Sequence, residues 1–230
     1  MTVKTNHAED AATGVATPKQ HSRRDFLVKA GGFSLLGAAV ISSCKKSSDS
    51  NGVDLGSGDI GILNYAYALE QLEAAFYIKV LSSPYTGITT AESAMLTDIR
   101  EHEIAHREFF KAALGSNAIV GLQVDFSTID FTNKTSVLAT AKAFEDLGVT
   151  AYNGAGQLLQ SPDYLTLAGK IVSVEARHAA YIRDLISPGS FADNTALDAN
   201  GLDMARLPAD VLAIAGKYIA TRIDASHLPS

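Results

Sequence analysis

The chain has 230 residues, a net charge of −6, a mean hydropathy of +0.09 and one cysteine. Its first 44 residues carry five basic side chains (Lys4, Lys19, Arg23, Arg24, Lys29) and three acidic ones (Glu9, Asp10, Asp25), so the remainder holds 14 basic against 22 acidic and carries −8. Those 186 residues suffice for one domain with a full core. An acidic body without a basic patch argues against nucleic acid as a partner, and a lone cysteine excludes an intramolecular disulfide.

Residues 1–44 read as a targeting segment rather than part of the fold. Ser22–Arg23–Arg24–Asp25–Phe26–Leu27–Val28–Lys29 resembles a twin-arginine export motif. A Gly- and Ala-rich stretch from Ala30 to Val40 follows, too short for a membrane span, which needs about 20 residues. It ends at Ile41–Ser42–Ser43–Cys44, which resembles a lipobox, with Cys44 as the acylated residue. That order implies a bacterial cell-envelope protein anchored by lipid on Cys44. Residues 45–58 are rich in Ser, Gly and Asp and read as a flexible tether.

Four helices are predicted at about 59–82, 89–114, 134–160 and 163–186, from apolar residues at alternating three- and four-residue steps. Thr89 or Thr90 ahead of Glu92 supplies a cap for the second, and Ser161–Pro162–Asp163 opens the fourth. Ser187–Pro188–Gly189 ends it. The connection from Gly115 to Asn133 is long, as a crossover between parallel second and third helices requires. Residues 188–230 read as an irregular arm followed by a short helix opening at Leu207–Pro208 and running to about Thr221.

Six residues with metal-binding groups fall on the buried stripes of these helices: Glu70, Glu103, His106, Glu145, Glu175 and His178. Glu103–Ile104–Ala105–His106 and Glu175–Ala176–Arg177–His178 share the spacing that places both side chains on one helical face. Four ionised carboxylates in one core repel one another and cost several kcal/mol each, and two divalent cations would cancel their charge. Residues 67–77 align with 142–152, matching Glu70 with Glu145 and Tyr77 with Tyr152. Each glutamate is followed about thirty residues on by Glu-x-x-His. The chain therefore reads as two helical hairpins of one design.

Glu, Glu-x-x-His, Glu, Glu-x-x-His on four helices is the ligand pattern of di-metal carboxylate bundles. With Ile62 to Tyr77, His102 to His106 and Val174 to His178, it resembles the ferritin, bacterioferritin and rubrerythrin superfamily. In wording it is similar to the ferritin-like family that includes desiccation-related proteins. The resemblance spans about residues 58–187 and implies an all-α, ferritin-like four-helix bundle over 59–187. It also implies Glu70 and Glu145 as terminal ligands, Glu103 and Glu175 as bridging ligands, and His106 and His178 as terminal imidazoles. The metals implied are two iron or manganese ions, expected about 3.5–4 Å apart.

Tyr77 and Tyr152 are either hydrogen-bond donors behind the ligands, redox-active groups, or ordinary core aromatics. Glu73, one turn from Glu70, is either an extra ligand, a replacement for Glu70 or a solvated flank residue. The repeat favours Glu70, because Glu73 aligns with Gly148. His102 is expected at the surface, pairing with Glu101 or Glu103.

The implied function is redox chemistry on Fe(II), peroxide or O₂ by a ferroxidase- or peroxidase-type oxidoreductase. The alternatives are a desiccation- or stress-related structural protein and a metal-binding lipoprotein. The four-cysteine module of rubrerythrins is missing, so an enzyme of this kind would use an external electron donor. The other partners expected are metal ions, the membrane through Cys44 and a second copy in a homodimer.

Overall fold

A computed structural model describes residues 52–230. The segment read as signal and lipobox, with Arg23, Arg24 and Cys44, lies outside the described residues. Among the described residues there are five α-helices: α1 (Gly58–Ser82), α2 (Thr90–Leu114), α3 (Lys134–Gly156), α4 (Pro162–Ile186) and α5 (Pro208–Ala215). None of them is long and apolar enough to cross a membrane.

The helix starts follow capping chemistry. Thr89 accepts the Glu92 amide while Glu92 accepts the Thr89 amide, a reciprocal box that satisfies two donors left over at the start of α2. Glu92 also pairs with Lys134, pinning the start of α3 beside the start of α2. Asn133 caps α3 and Ser161 caps α4, with Pro162 at its first position. α3 ends at Gly156, four residues before its predicted end. Residues 157–161 form the turn instead, and Asp59 of α1 accepts the amides of Gln160 and Ser161 there.

α1 packs along α2 and α3 along α4, giving two hairpins, with α1 also touching α3. The crossover between α2 and α3 runs down the outside of α1. Its start bonds to Asn64, its middle to Gln71 through the Leu122 amide, and its end to Thr86 through the Thr132 carbonyl. It therefore delivers α3 to the end of the bundle where α2 began, which makes α2 and α3 parallel. This covering explains why α1 is buried over most of its circumference, from Gly61 to Val80. A helix apolar on all sides requires neighbours on all sides. Phe126 and Phe131 of the crossover meet Phe76, which has no exposed surface and also touches Tyr77 and Phe144. Burying one such ring contributes about 1.5–3 kcal/mol.

Two short strands close the fold. β1 (Val53–Asp54) pairs in parallel with β2 (Ile223–Asp224), and Leu55 beside it is completely buried. These residues fall within the stretch read as tether, and they are tied to the C-terminal segment. The predicted terminal helix is shorter than read: α5 stops at Ala215 and a 3₁₀ turn, Gly216–Tyr218, continues it.

The arm between α4 and α5 is anchored by a side chain the sequence reading passed over. Arg183 is 1% exposed and forks onto both carboxylate oxygens of Asp146, then onto Asp193 and Thr195 of the arm. Further on, Arg206 donates its amide to the Thr150 carbonyl. A Cβ on Gly154 would lie 1.7 Å from the Arg206 carbonyl oxygen, so this approach of arm to helix requires glycine.

Asn64 is the other buried polar key. Its side-chain amide donates to the carbonyls of Leu55 and Asn117, and its carbonyl accepts the Ile119 amide. Asn64→Ala would strand two buried backbone groups, the Leu55 carbonyl and the Ile119 amide, and lose the part-buried bond to the Asn117 carbonyl. We expect a loss of about 2–4 kcal/mol, read as a lower urea midpoint with unchanged slope.

Candidate metal centre

Each hairpin sends three ligand groups inward, and all six converge in one core. Glu70 comes from α1, Glu103 and His106 from α2, Glu145 from α3, and Glu175 and His178 from α4. They form two overlapping groups, each able to offer ligand atoms within 4.8 Å of one another. The first is Glu70, Glu103, His106 and Glu175, and the second is Glu103, Glu145, Glu175 and His178. Glu103 and Glu175 belong to both groups, the placing that bridging carboxylates need. The four glutamates have no exposed surface, and His178 is 4% exposed.

The imidazoles turn the same nitrogen inward. His106 Nδ1 lies 3.0 Å from Glu175 Oε1 and 3.4 Å from Glu70 Oε2. His178 Nδ1 lies 2.8 Å from Glu103 Oε1 and 3.4 Å from Glu145 Oε2. Each histidine thus meets the single glutamate of its own hairpin and the shared glutamate of the other.

The tyrosines cross between hairpins in the same symmetric way. Tyr77 donates its hydroxyl to Glu145 Oε1, and Tyr152 donates to Glu70 Oε1. Each bond occupies one oxygen of Glu145 or Glu70 and leaves the other facing the centre.

The inward atoms of this donor set are left unsatisfied by the protein itself. Glu70 Oε2, Glu145 Oε2, both oxygens of Glu103 and of Glu175, and Nδ1 of both histidines are buried without a hydrogen-bond partner. Buried polar atoms of this kind are rare and each costs about 1–3 kcal/mol or more. They are all the inward atoms of the six residues, mixed oxygen and nitrogen, and they fit cations.

Without a cation the charges strain against one another. Burial, with Glu103 nearby, pushes Glu70 up to about 7 against the pull of His106. Burial and the surrounding carboxylates raise Glu175 well above its ordinary range. Burial also opposes ionisation of Glu103, but the two imidazoles outweigh it and hold that carboxyl down at about 2. Burial disfavours a charged His178, yet Glu103 and Glu145 overcome this and raise it to about 10. His106 is raised in the same way by Glu103, Glu175 and Glu70.

The ferritin-like domain family matches residues 58–188, more than half of the chain. The chain belongs to the ferritin-like family. Comparison with curated proteins gives no match. The ferritin-like matched region covers both hairpins and all six inward residues, while the arm, α5 and β2 lie beyond it.

Two side chains of this ferritin-like core stand differently from the sequence expectation. Glu73 is not a solvated flank residue. It is 3% exposed, its Oε2 has no partner, and burial with Glu175 and Glu103 raises its carboxyl well above the ordinary range. Its space comes from Gly148, where a Cβ would lie 3.1 Å from Glu73 Oε1 and 3.4 Å from Glu175 Oε2. His102 is exposed, as expected, but pairs with neither Glu101 nor Glu103. Its Nδ1 lies 2.9 Å from His178 Nε2. The ring centroids are 5.1 Å apart with planes 11° from parallel, about the separation an edge-on bond between two imidazoles requires. Burial and the neighbouring histidines lower His102 below its usual value, which keeps it a neutral acceptor.

These shifts set the pH dependence of the metal-free protein. Glu70 has a folded value of about 7 against an ordinary 4.5, so its contribution is complete below 4.5 and is lost as pH rises through 7. His178, at about 10 against 6.5, loses its contribution between those values. Glu103, at about 2, acts oppositely, and its contribution is lost as pH falls from 4.5 towards 2. Chelator-stripped protein should therefore be most stable near pH 4.5 and melt progressively lower from there to pH 10. Calorimetry across that range checks the sign.

Proposed function

We propose that this ferritin-like protein is a di-metal redox protein of the cell envelope. Two iron or manganese ions would be held between the hairpins. The residues that would hold them are Glu70, Glu103, His106, Glu145, Glu175 and His178, with Glu103 and Glu175 common to both groups. The observation that carries this reading is the set of eight inward ligand atoms buried without partners in two overlapping groups. Mixed carboxylate and imidazole donors suit iron or manganese.

When bound, such a pair supplies one-electron steps suited to oxidising Fe(II) or reducing peroxide or O₂. The chain's own residues do the rest. Tyr77 and Tyr152 orient the terminal carboxylates from behind, the role that outer hydrogen bonds play at metal sites. Tight packing excludes bulk water from the carboxylates. His106, with 13% of its side chain exposed, marks the side from which a small oxidant or a metal ion would arrive. The described residues contain no cysteine, so electrons would come from an external donor. A second reading, a stress-related structural or metal-binding protein, draws on the same zero exposure of the four glutamates, which restricts access by larger substrates.

Chelation should lower the melting temperature, and Fe(II) or Mn(II) should restore it. Metal at 100 times its Kd adds about 2.7 kcal/mol. Glu175→Gln should abolish this response without destabilising the stripped protein, because it removes a carboxylate that burial already disfavours. Metal content, melting curves and consumption of O₂ or peroxide together check the assignment. Tight binding without consumption would favour the structural reading.

The envelope location rests on Arg23, Arg24 and Ile41–Ser42–Ser43–Cys44. Cys44→Ser should release the protein from membranes while leaving the bundle folded, and Arg23→Lys with Arg24→Lys should block export. Mass spectrometry of the native N-terminus checks this: an unmodified peptide spanning Ser42 to Lys46 would rule out lipidation.

A further inference from the structure

We propose that the two metal positions are unequal, and that the one bounded by Glu103, Glu145, Glu175 and His178 fills first because Glu73 and His102 serve it alone. This inference rests on the two-metal reading above and deepens it. The pseudo-twofold relation of the hairpins would make both positions alike, and two residues break it. His102 precedes Glu103, and the residue preceding Glu175 is Val174. Glu73 follows Glu70 by one turn, and the residue one turn after Glu145 is Gly148.

Both departures act on the same position. His102 bonds to Nε2 of His178 at 2.9 Å. With Nδ1 of His178 turned to the carboxylates, Nε2 carries the proton and donates outward to His102. The bond fixes the ring's orientation and tautomer and raises the basicity of the inward nitrogen. Glu73 reaches the same side from α1. Its Oε1 crowds the point where a Gly148 Cβ would sit, together with Oε2 of Glu175. The other oxygen of Glu175, Oε1, is the one beside His106, so Oε2 belongs to the His178 half. The remaining oxygen of Glu73 is buried and without a partner, and Glu73 lies outside both four-residue groups, so it acts on this half as a carboxylate beside Glu175 that can swing in as an additional ligand.

Anaerobic titration of the chelator-stripped full chain with Mn(II) tests this by calorimetry and electron paramagnetic resonance. The wild type should bind in two steps, with isolated-ion signals up to one equivalent and coupled-pair signals only after that. His102→Ala should weaken the tight step about 10- to 100-fold and leave the loose step unchanged. His102→Gln, which can still accept the Nε2 proton, should restore most of the loss. Glu73→Gln, nearly isosteric, should weaken the same step. Val174→His, which supplies the missing partner on the other half, should tighten the loose step. Coupled pairs from the first addition, or equal weakening of both steps in His102→Ala, would overturn the inference while leaving the metal reading intact. No binding at all would overturn both.

Discussion

Four glutamate carboxylates without exposed surface share one helical core, and the rest of the structure answers to the charge they bring. Desolvating an ionised carboxylate costs several kcal/mol, and placing four together adds mutual repulsion that a low dielectric magnifies. The protein spreads the compensation over three kinds of group. Two tyrosines donate to the outer oxygens, two imidazoles stand beside the inner ones, and cations would take those inner oxygens together with the imidazole nitrogens. An apolar replacement of the whole cluster would pack more cheaply, so the cluster is costly to the fold and is explained by what it binds.

The bundle is arranged to hold that cluster still. Small residues such as Ala74, Gly148 and Ala151 line α1 and α3 near the glutamates, where space is needed for carboxylates and tyrosine rings. The crossover wraps the back of α1, so the helix bearing Glu70, Glu73 and Tyr77 is supported on every side. Rigid helices placed in this way keep ligand atoms in position before any cation arrives, and less ordering remains to oppose binding. On the far side, Arg183 and its three partners fasten the arm to α3 and α4. This network stiffens the second hairpin without touching the centre.

Much of this was legible in the sequence because helical periodicity and metal chemistry impose the same register. Glu70, Glu103, Glu145 and Glu175 sit where apolar residues belong, and a charge on a core stripe demands an explanation. The repeat also set Tyr77 against Tyr152. It could not disclose that each tyrosine reaches across to the other hairpin's glutamate, since the packing of one hairpin on another leaves no local trace. Asn64 and Arg183 escaped notice for a related reason: Asn64's partners and two of Arg183's three, Asp193 and Thr195, lie in irregular segments that carry no period, and the third, Asp146, lies on another helix. The bond from His102 to His178 spans two helices 76 positions apart. The mismatch of His102 with Val174 was its one visible sign. The end of α3 was overread because Gln157 to Gln160 continue a helical pattern, while the Asp59 cap that turns the chain lies on a different helix.

The pairing of Glu73 with Gly148 has a consequence for how this sequence can drift. A methyl group at position 148 would press on the carboxylate of Glu73, which would have to retreat by a few tenths of an ångström. Loss of the carboxylate, conversely, would leave a hole that only the missing side chain at 148 could fill. The two positions are therefore joint characters rather than independent ones. Among relatives of this chain they should change together, with a carboxylate facing a glycine or two neutral residues facing each other. Lineages that gave up the one should have been free to abandon the other.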